Sequence, residues 1–463
     1  MTNEIYLHNT KTRKDELFIP LKKDLVSLYS CGPTVYHYAH IGNLRAYIFA
    51  DVLRRMFVDA EYTVNHIINI TDVGHMVGDG DDGQDKLEKG ALREGKNVWE
   101  VAKMYTDAFF DDLTLLNIPK DAFTFPRATD HIREQIGLIS ALEIGGHTYT
   151  ISDGVYFDTS TFPRYSEFAH LNIEGLKSGA RVEENTEKKN ITDFALWKFS
   201  PKNEHRQMEW DSPWGKGFPG WHIECSAMSM KYLGETFDIH TGGVDHIPVH
   251  HTNEIAQSEC VTGTTYANYW MHVNFLNDTS GKISKSNDDF LRLQTLIEKG
   301  YSPLVYRYYT LTAHYRSEMD FSFESLDGAA TAYRKLENWC ASHNSQTGVI
   351  SQEYRNQFNE IIHNDLNTPQ VLALIWTLLK DEKISDDDKY ATIISFDSVL
   401  GLNLKEAKKE DIIIPEKVKV LMEARTSARL SQNFTESDRL RDEISKLGYL
   451  IKDTPEGQTV IKV

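Results

Sequence analysis

Four side chains with soft or charged donor atoms are the residues best suited to chemistry in this sequence. Cys225 is followed by His250, and Glu254 lies four positions beyond the histidine. On a helix that spacing puts an imidazole and a carboxylate on one face, and Ile255 to Cys260 is compatible with helix. Cys31, which follows an early apolar run, adds a second thiol. Two thiolates, an imidazole and a carboxylate suit tetrahedral zinc better than calcium or magnesium.

The spacing of these residues leaves a second interpretation open. No paired CxxC motif accompanies them, and buried cysteines often act as small apolar side chains. His250 and Glu254 would then be ordinary members of a helix face. His251 follows His250 directly, so it is the residue most easily confused with the ligand.

A strand, a loop and a helix are predicted around Cys31. Leu25 to Ser30 is a short apolar run, and Gly42 to Val58 carries apolar residues at helical spacing. Tyr62 to Ile70 predicts a second buried strand, so the chain opens with a β-α-β unit of the doubly wound kind. Ligands of such sheets bind beyond the carboxyl ends of the strands, where Cys31 and His40 would lie.

The middle of the chain changes pattern twice. Gly78 to Asp85 is acidic and glycine-rich, which predicts a solvated loop. From Pro119 to Ser200 the pattern is broken and strand-rich, as expected of an insertion, and the parallel-sheet pattern returns around Gly220 to Cys260. Beyond Lys282 the chain becomes helical.

The C-terminal third carries clear helix and turn signals. Asn367 before Thr-Pro369 predicts a capped helix over Val371 to Lys380. Thr435 to Asp438 resembles a capping box, and Gly448 marks the end of that helix. Thr454 to Gly457 predicts a closing hairpin. The last helix would bury one apolar face, formed by Leu440, Ile444 and Leu447.

Composition bounds the class of protein. The chain has 463 residues of which 40% are hydrophobic, enough to fill two to four domains. The four cysteines are far apart, which favours reduced thiols in a cytoplasmic protein. The N-terminus has no targeting pattern, and no stretch approaches the length of a membrane span, so we expect a soluble protein without a membrane partner.

The distribution of charge separates the end of the chain from the rest. The net charge of -18 argues mildly against a nucleic-acid partner. Residues 405–463, however, hold twelve basic and eleven acidic side chains, so all of the excess negative charge precedes them. This segment would either meet a polyanion or form an ordinary charge-balanced helical domain.

Motifs along nearly the whole chain resemble those of the cysteinyl-tRNA synthetase family, a class I aminoacyl-tRNA synthetase family, and occur in the family's order. The matching stretches are Cys31 to Tyr36, His40-Ile-Gly-Asn43, Gly220 to Met228, His240 to Asp245, His250 to Gln257, Lys282-Ile-Ser-Lys-Ser286, His314-Tyr-Arg316, Asp365 to Pro369 and Ala428 to Glu443. The resemblance and the patterning together predict an α/β fold: a doubly wound parallel-sheet (Rossmann-like) catalytic domain with a connective insertion, then a helical bundle and a small C-terminal α+β domain. The expected domains are catalytic (1–118 and 201–275), connective insertion (119–200), stem-contact region with the KISKS loop (276–320), helical bundle (321–404) and anticodon-binding (405–463).

The resemblance implies a cysteine–tRNA ligase. Such an enzyme activates L-cysteine with ATP and Mg²⁺ to cysteinyl-adenylate and transfers the cysteinyl group to the 3′-terminal adenosine of tRNA(Cys). It also implies one zinc ion per chain, held by Cys31, Cys225, His250 and Glu254, that binds the substrate sulfur. Because zinc prefers soft sulfur to a hydroxyl oxygen, serine would be rejected at binding. A monomer is the expected state.

The family's ATP signatures map onto two short stretches. His40, Gly42 and Asn43 would bind phosphates at a helix start, and Lys282 and Lys285 would neutralise the pyrophosphate. Asn43 stands where the general class pattern has a second histidine, and Ile283 stands where it usually has methionine. Taken alone, His40 also fits a helix terminus and the lysine stretch a polar turn.

The resemblance also suggests residues for the amino acid pocket. Asp245 would pair with the substrate ammonium group, Trp221 would close over the substrate, and Thr71 would line the pocket. The commoner fate of a tryptophan is a place in the core.

Two rival functions share part of this pattern. A ligase that couples activated cysteine to an amino-sugar, as in mycothiol synthesis, would keep the zinc and ATP residues but needs no anticodon-reading segment. A non-catalytic, zinc-stabilised RNA-binding module would not need His40, Lys282 and Lys285. The segment from Lys405 onward and these three side chains favour the tRNA ligase.

Overall fold

The computed structural model describes residues 4–74, 85–171, 186–201, 206–278, 281–282, 291–344, 347–408, 415–454 and 457–462. The chain divides into two compact units, Met1–Glu406 and Ala407–Val463. Lys285 and most of the acidic stretch from Gly78 lie outside the described residues.

Fifteen strands and fourteen helices are found in these residues. The strands are β1 Tyr6–Asn9, β2 Lys14–Leu17, β3 Leu25–Ser30, β4 Thr63–Ile68, β5 Thr148–Ile151, β6 Gly154–Phe157, β7 Phe194–Phe199, β8 Gly217–Pro219, β9 Phe237–Gly243, β10 Ala267–Val273, β11 Leu276–Asp278, β12 Gly281–Lys282, β13 Met319–Phe321, β14 Tyr449–Thr454 and β15 Gly457–Lys462. The helices are α1 Ile41–Asp59, α2 Lys86–Glu94, α3 Val98–Leu115, α4 Ile132–Ile144, α5 Trp221–Leu233, α6 Thr252–Thr262, α7 Leu293–Glu298, α8 Pro303–Leu311, α9 Phe323–Ser342, α10 Gln352–Ile362, α11 Thr368–Lys380, α12 Asp386–Leu400, α13 Glu416–Leu430 and α14 Phe434–Lys446.

A four-stranded parallel sheet lies at the centre of the first unit. Its order is β10-β9-β3-β4, with Leu28 opposite Ile239 and Leu25 opposite Thr63. Helix α1 connects β3 to β4 and buries an apolar stripe against the sheet, which is the predicted β-α-β unit. The buried stripe contains Leu44, Ile48, Val52, Leu53 and Met56.

An inserted region joins β4 to β9. Its sheet is antiparallel in the order β5-β6-β7-β8. Strands β5, β6 and β7 lie within the strand-rich stretch 119–200, whereas β8 lies beyond it. Helix α4 was not predicted, and it packs its buried Leu138, Ile139 and Leu142 into the main core. The prediction of a solvated loop is wrong at Asp85, which is buried, caps α2 and pairs with Arg206.

The helices that follow the sheet pack against α1 through buried charges. Arg307 of α8 donates to Asp51 of α1 over 2.7 Å, and both side chains are completely buried. The predicted cap is confirmed, since Asn367 accepts a hydrogen bond from the backbone of Gln370 at the start of α11. Two matched motifs meet here as well, because Arg316 donates to Asp365 over 2.7 Å.

The second unit contains α13, α14 and the hairpin of β14 and β15, whose strands are antiparallel as predicted. The residue that caps α14 is Asn433, not the predicted Thr435, because the Asn433 side chain accepts from the backbone of Glu436. The core of the second unit contains Val418, Ile444, Tyr449 and Ile451. None of the helices described in either unit has the length and apolar character needed to cross a membrane.

Candidate functional site

A cleft of about 1200 Å³, including the space open to solvent, lies beyond the carboxyl ends of β3, β9 and β10. This is where ligands of doubly wound sheets bind. The structure brings most of the predicted site residues to its wall: Cys31, His40, Gly42, Asn43, Thr71, Trp221, Cys225, Asp245 and His250. Glu254 lies behind the wall and is completely buried.

The four predicted metal ligands converge at the buried end of this cleft. Ligand atoms of Cys31, Cys225, His250 and Glu254 all lie within 4.8 Å of one another. His250 Nε2 is 3.1 Å from Glu254 Oε1, and Cys31 Sγ is 4.0 Å from the same oxygen. Two sulfurs, one nitrogen and one oxygen at this separation are compatible with a tetrahedral zinc site.

Two histidines that the ligand prediction left out lie against the same cluster. Cys31 and Glu254 also form a group of four with His240 and His251, within the same 4.8 Å. His251 Nε2 is 3.2 Å from Cys31 Sγ. His240 could have been found in the matched stretch from His240 to Asp245, and His251 was already the competing residue beside His250.

The hydrogen bonds of Glu254 favour the predicted set of four. His240 Nε2 lies 2.9 Å from Glu254 Oε2, and the Tyr266 hydroxyl donates to that oxygen over 3.1 Å. These contacts occupy Oε2 and leave Oε1 for His250, whose Nε2 is 3.1 Å away, whereas His251 Nε2 is 4.0 Å from the same oxygen. His240 and Tyr266 therefore orient the carboxylate through its second oxygen, as supporting groups of metal ligands do.

Burial makes the cluster costly without a cation. Burial, together with Cys225 and Glu254, raises the pKa of Cys31 well above its ordinary value. Burial and the neighbouring histidines hold the pKa of His251 well below the usual range. Without a cation the pocket thus favours a neutral thiol at Cys31, whereas a divalent metal would stabilise thiolates and carboxylate together. The donor set fits zinc.

Local backbone features allow this convergence. Residues Ile247–His251 form one π-helical turn directly before α6, a feature often found at functional sites. His250 and Glu254 are thus joined by a π turn and an α turn. A Cβ at Gly242 would lie 2.7 Å from His246 Nδ1 and 2.7 Å from His251 Cε1, so only glycine allows these rings so close to β9.

The end of the cleft at which phosphate binding is predicted is the start of helix α1. His40 Nδ1 accepts from the Asn43 backbone at 3.1 Å, and Asn43 Oδ1 accepts from the His40 backbone at 3.3 Å, which is a capping box. Because Oδ1 is used, Nδ2 is the group that Asn43 can offer as a donor to a ligand. A Cβ at Gly42 would press on the His40 ring at 3.0 Å, so glycine protects the cap as well as access to the cleft.

Of the two lysines predicted to contact pyrophosphate, the structure describes only the backbone of Lys282. Lys282 is in β12, opposite Asn277 of β11, and its side chain is outside the described residues. Lys285 is outside them entirely. Their predicted contact with pyrophosphate stays a prediction.

The three residues predicted for the amino acid pocket all face the cleft. Trp221 is the first residue of α5, and its ring centre is 4.4 Å from that of His250. Asp245 is exposed, whereas Thr71 is buried and accepts from Asn69 Nδ2 at 2.9 Å. Asn69, which the sequence prediction missed, also accepts from the Gly32 backbone at 2.8 Å.

Family models match most of the chain. The model described as tRNA synthetases class I (C) catalytic domain matches residues 17–331. A second, described as Cysteinyl-tRNA ligase anticodon binding domain, matches residues 414–460.

Curated relatives match over nearly the full length. Cysteine–tRNA ligase 1 of Burkholderia lata is 49% identical over 453 residues, which cover 98% of this chain and 96% of that protein. The cysteine–tRNA ligase of Treponema denticola is 43% identical, with 96% and 97% covered. That of Zymomonas mobilis is 42% identical, with 97% and 96% covered.

A solved structure supports the fold. Mycobacterium tuberculosis methionyl-tRNA synthetase in complex with methionyl-adenylate superposes with a TM-score of 0.54 at 14% identity, covering 82% of this chain and 90% of that one. Together with the catalytic-domain match, this likeness confirms the predicted fold class.

Proposed function

The chain belongs to the cysteine–tRNA ligase family, and we propose that it selects L-cysteine with a zinc ion before joining it to tRNA(Cys). It is an aminoacyl-tRNA ligase. The amino-sugar alternative is not favoured, because the relatives are cysteine–tRNA ligases over their full length and the anticodon-domain model matches the C-terminal unit. The observation that carries the zinc proposal is the convergence of two sulfurs, an imidazole and a carboxylate within 4.8 Å beside the helix start at His40.

The amino acid end of the cleft supports selection by sulfur. Cys31, Cys225, His250 and Glu254 would hold one zinc ion, which supplies a soft Lewis acid that stabilises a thiolate and discriminates against a serine hydroxyl. A purely apolar pocket separates near-isosteres by only about 1–3 kcal/mol.

The remaining pocket residues would hold the rest of the amino acid. The Asp245 carboxylate would accept hydrogen bonds from the substrate ammonium group, and the Trp221 ring, which packs on His250, would cover the substrate. Thr71, held by Asn69, would line the other side.

The helix start would position ATP for adenylate formation. A carboxylate oxygen of cysteine attacks the α-phosphorus, and the bond to the pyrophosphate oxygen breaks. His40, the Asn43 Nδ2 group and the positive end of α1 would donate to the phosphates. Lys282 and Lys285 would balance the charge that develops on pyrophosphate. The terminal ribose hydroxyl of the tRNA then displaces AMP from the carbonyl carbon.

The test is ATP–pyrophosphate exchange with each of the twenty amino acids, with and without a chelator, followed by aminoacylation of total tRNA. We expect exchange with cysteine alone, its loss on chelation and its recovery with Zn²⁺, and charging of tRNA(Cys). Exchange that survives complete removal of metal would reject the zinc proposal. Exchange with cysteine but no charging of any tRNA would reject tRNA as the acceptor.

A further inference from the structure

Both ends of the segment that carries Lys282 are attached to α1, the helix that begins at the His40 cap. Where the segment begins, Arg45 Nη1 donates to the carbonyl oxygens of Asn274 and Phe275 at 2.9 and 2.7 Å. Where it ends, the Ile41 backbone donates to the Leu291 carbonyl at 2.9 Å. The helix that would bind the phosphates therefore also holds the chain on either side of the lysines.

Arg45 joins that segment to a third part of the chain. Its Nη2 donates to the carbonyls of His314 and Ser317 at 3.1 and 2.8 Å. The two stretches also bond to each other, because Met319 donates to the Phe275 carbonyl at 3.0 Å and β13 pairs with β11. One guanidinium group thus closes the junction from which the hairpin of β11 and β12 extends.

The environment of Arg45 is unusual for a structural arginine. Arg45 is only 2% exposed. In the described part of the chain its guanidinium group donates to four carbonyl oxygens and to no carboxylate. Burying a charge without an opposite charge is costly, and the four hydrogen bonds offset part of that cost. A planar fork of donors fits four fixed acceptors, which the ammonium group of lysine cannot do.

We propose that Arg45 is a positioning residue that fixes the hairpin of β11 and β12, and with it Lys282, relative to the phosphate-binding start of α1. Phe275 directly precedes β11, and Asn277 of β11 pairs with Lys282, so a shift of the Phe275 carbonyl moves Lys282 with it. Arg292 supports the other end, since its guanidinium carbon lies 4.4 Å from the centre of the Tyr38 ring. The inference rests on the proposed use of Lys282 in ATP activation.

The test compares Arg45→Met and Arg45→Lys with a control on the same helix. Arg54→Met removes another buried guanidinium of α1, one that pairs with Asp51 and contacts neither end of the segment. We expect Arg45→Met to lower kcat for cysteine-dependent pyrophosphate exchange by about 100-fold, because an error of about 1 Å in a charged group has that effect. KM for cysteine and metal content should not change. Arg45→Lys should fall between, and Arg54→Met should stay within about twofold of the unmodified protein.

Amide hydrogen exchange of full-length protein gives a readout that does not depend on activity. Peptides covering residues 274–282 should exchange faster in Arg45→Met but not in Arg54→Met. Unchanged amide exchange of these peptides in Arg45→Met overturns the inference. An equal loss of activity in Arg45→Met and Arg54→Met, or a loss of metal from Arg45→Met, also overturns it. If the unmodified protein shows no cysteine-dependent pyrophosphate exchange, the proposed function fails instead. Faster amide exchange confined to Arg45→Met would then still show that Arg45 holds the β11–β12 hairpin in place.

Discussion

The two ends of the cleft are built in different ways. We call the end with Cys31, Cys225, His250 and Glu254 the sulfur end, and the helix start at His40 the phosphate end. At the sulfur end the four predicted ligands come from three parts of the chain: Cys31 follows β3, Cys225 is in α5, and His250 and Glu254 are one turn apart where the π turn meets α6. Packing brings the ligand atoms of these three parts within 4.8 Å of one another. At the phosphate end His40, Gly42 and Asn43 lie within four residues of one helix start, and His40 and Asn43 position each other through a capping box. The geometry of the sulfur end depends on how distant parts of the chain pack together. The geometry of the phosphate end depends on one helix turn and on the hydrogen bonds by which Arg45 holds the β11–β12 hairpin.

This difference indicates a division of labour. Glu254 is completely buried and His250 nearly so, which would hold these two predicted ligands in place before any substrate arrives. His40 is 9% exposed and Asn43 is half-buried, and both line the cleft from a helix terminus. Selection of the amino acid would reside in the end that is assembled from distant parts of the chain, and ATP chemistry in the end that is formed by one helix start.

The largest expected effect comes from removing a sulfur. Cys225→Ser should lose zinc and lower cysteine-dependent pyrophosphate exchange by more than about 100-fold, since even supporting groups of metal sites are worth 10- to 100-fold. Cys31→Ser should behave in the same way. Metal analysis and exchange kinetics on the same preparations check this prediction.

Cys340→Ser is the matched control for that experiment. Cys340 is completely buried, as Cys225 nearly is, but it lies in α9, away from the cluster. It should keep its metal and its exchange activity. Full pyrophosphate exchange in a zinc-free Cys225→Ser protein would contradict a role for the metal in cysteine activation.

The second effect separates the two ends directly. His40→Ala should lower pyrophosphate exchange by about 100-fold, the usual value of one donor to a developing charge, while zinc content stays unchanged. The cap itself accounts for about 1 kcal/mol of stability. Asn97→Ala breaks the other described capping box, that of α3, and should cost similar stability without loss of exchange. Equal losses of activity in the two variants would contradict a role for His40 in ATP binding.

The same contrast explains what the sequence could predict. The strands around Cys31, helix α1 and the hairpin at Thr454 are local patterns, and the structure has them. His40 and Asn43 could be placed at a helix start for the same reason.

Residues that depend on packing were harder to foresee. Tyr266 donates to Glu254 across 12 residues of chain, and no motif marks it; His240 lies in a matched motif, but its spacing from Glu254 does not predict their contact. Arg45 reads as one more polar residue of an amphipathic helix, because its four acceptors are backbone carbonyls of distant segments. The cap of α14 was misplaced because Asn433 and Thr435 both fit the local pattern, and only the backbone decides between them.

A third prediction asks whether either end needs the C-terminal unit. A chain ending at Glu406 should keep zinc and cysteine-dependent exchange, because every described residue of the cleft lies in the first unit. The cut should fall after Glu406, since Leu404 is buried and its backbone donates to Asp397. Charging of tRNA should fall at least about tenfold, which corresponds to the loss of roughly 1.4 kcal/mol of binding.

Aminoacylation and exchange measured side by side check that prediction. Unimpaired charging by the shortened chain would mean that residues 407–463 do not contribute to tRNA recognition. Loss of exchange would mean that the two ends of the cleft are not independent of the second unit.

The smallest effect concerns Asp112 of α3, next to Arg292. Burial raises the pKa of Asp112 to about 7, partly offset by Arg292. The folded protein therefore keeps a proton there that the unfolded chain releases near pH 4, so this group's contribution to stability declines as pH rises from about 4 to 7. Asp112→Asn cannot ionise, so it should gain about 1–2 °C in Tm over the parent at pH 8 and little at pH 4. A difference in Tm that is the same at both pH values would contradict the shifted pKa.

A zinc ion held by Cys31, Cys225, His250 and Glu254 would bind the substrate sulfur directly. Replacing zinc by Co²⁺ gives a visible spectrum that reports directly on thiolate coordination. Titration with L-cysteine should strengthen the thiolate-to-cobalt absorption, and L-serine at the same concentrations should leave it unchanged. A spectrum that stays unchanged at cysteine concentrations that saturate pyrophosphate exchange would contradict selection by sulfur.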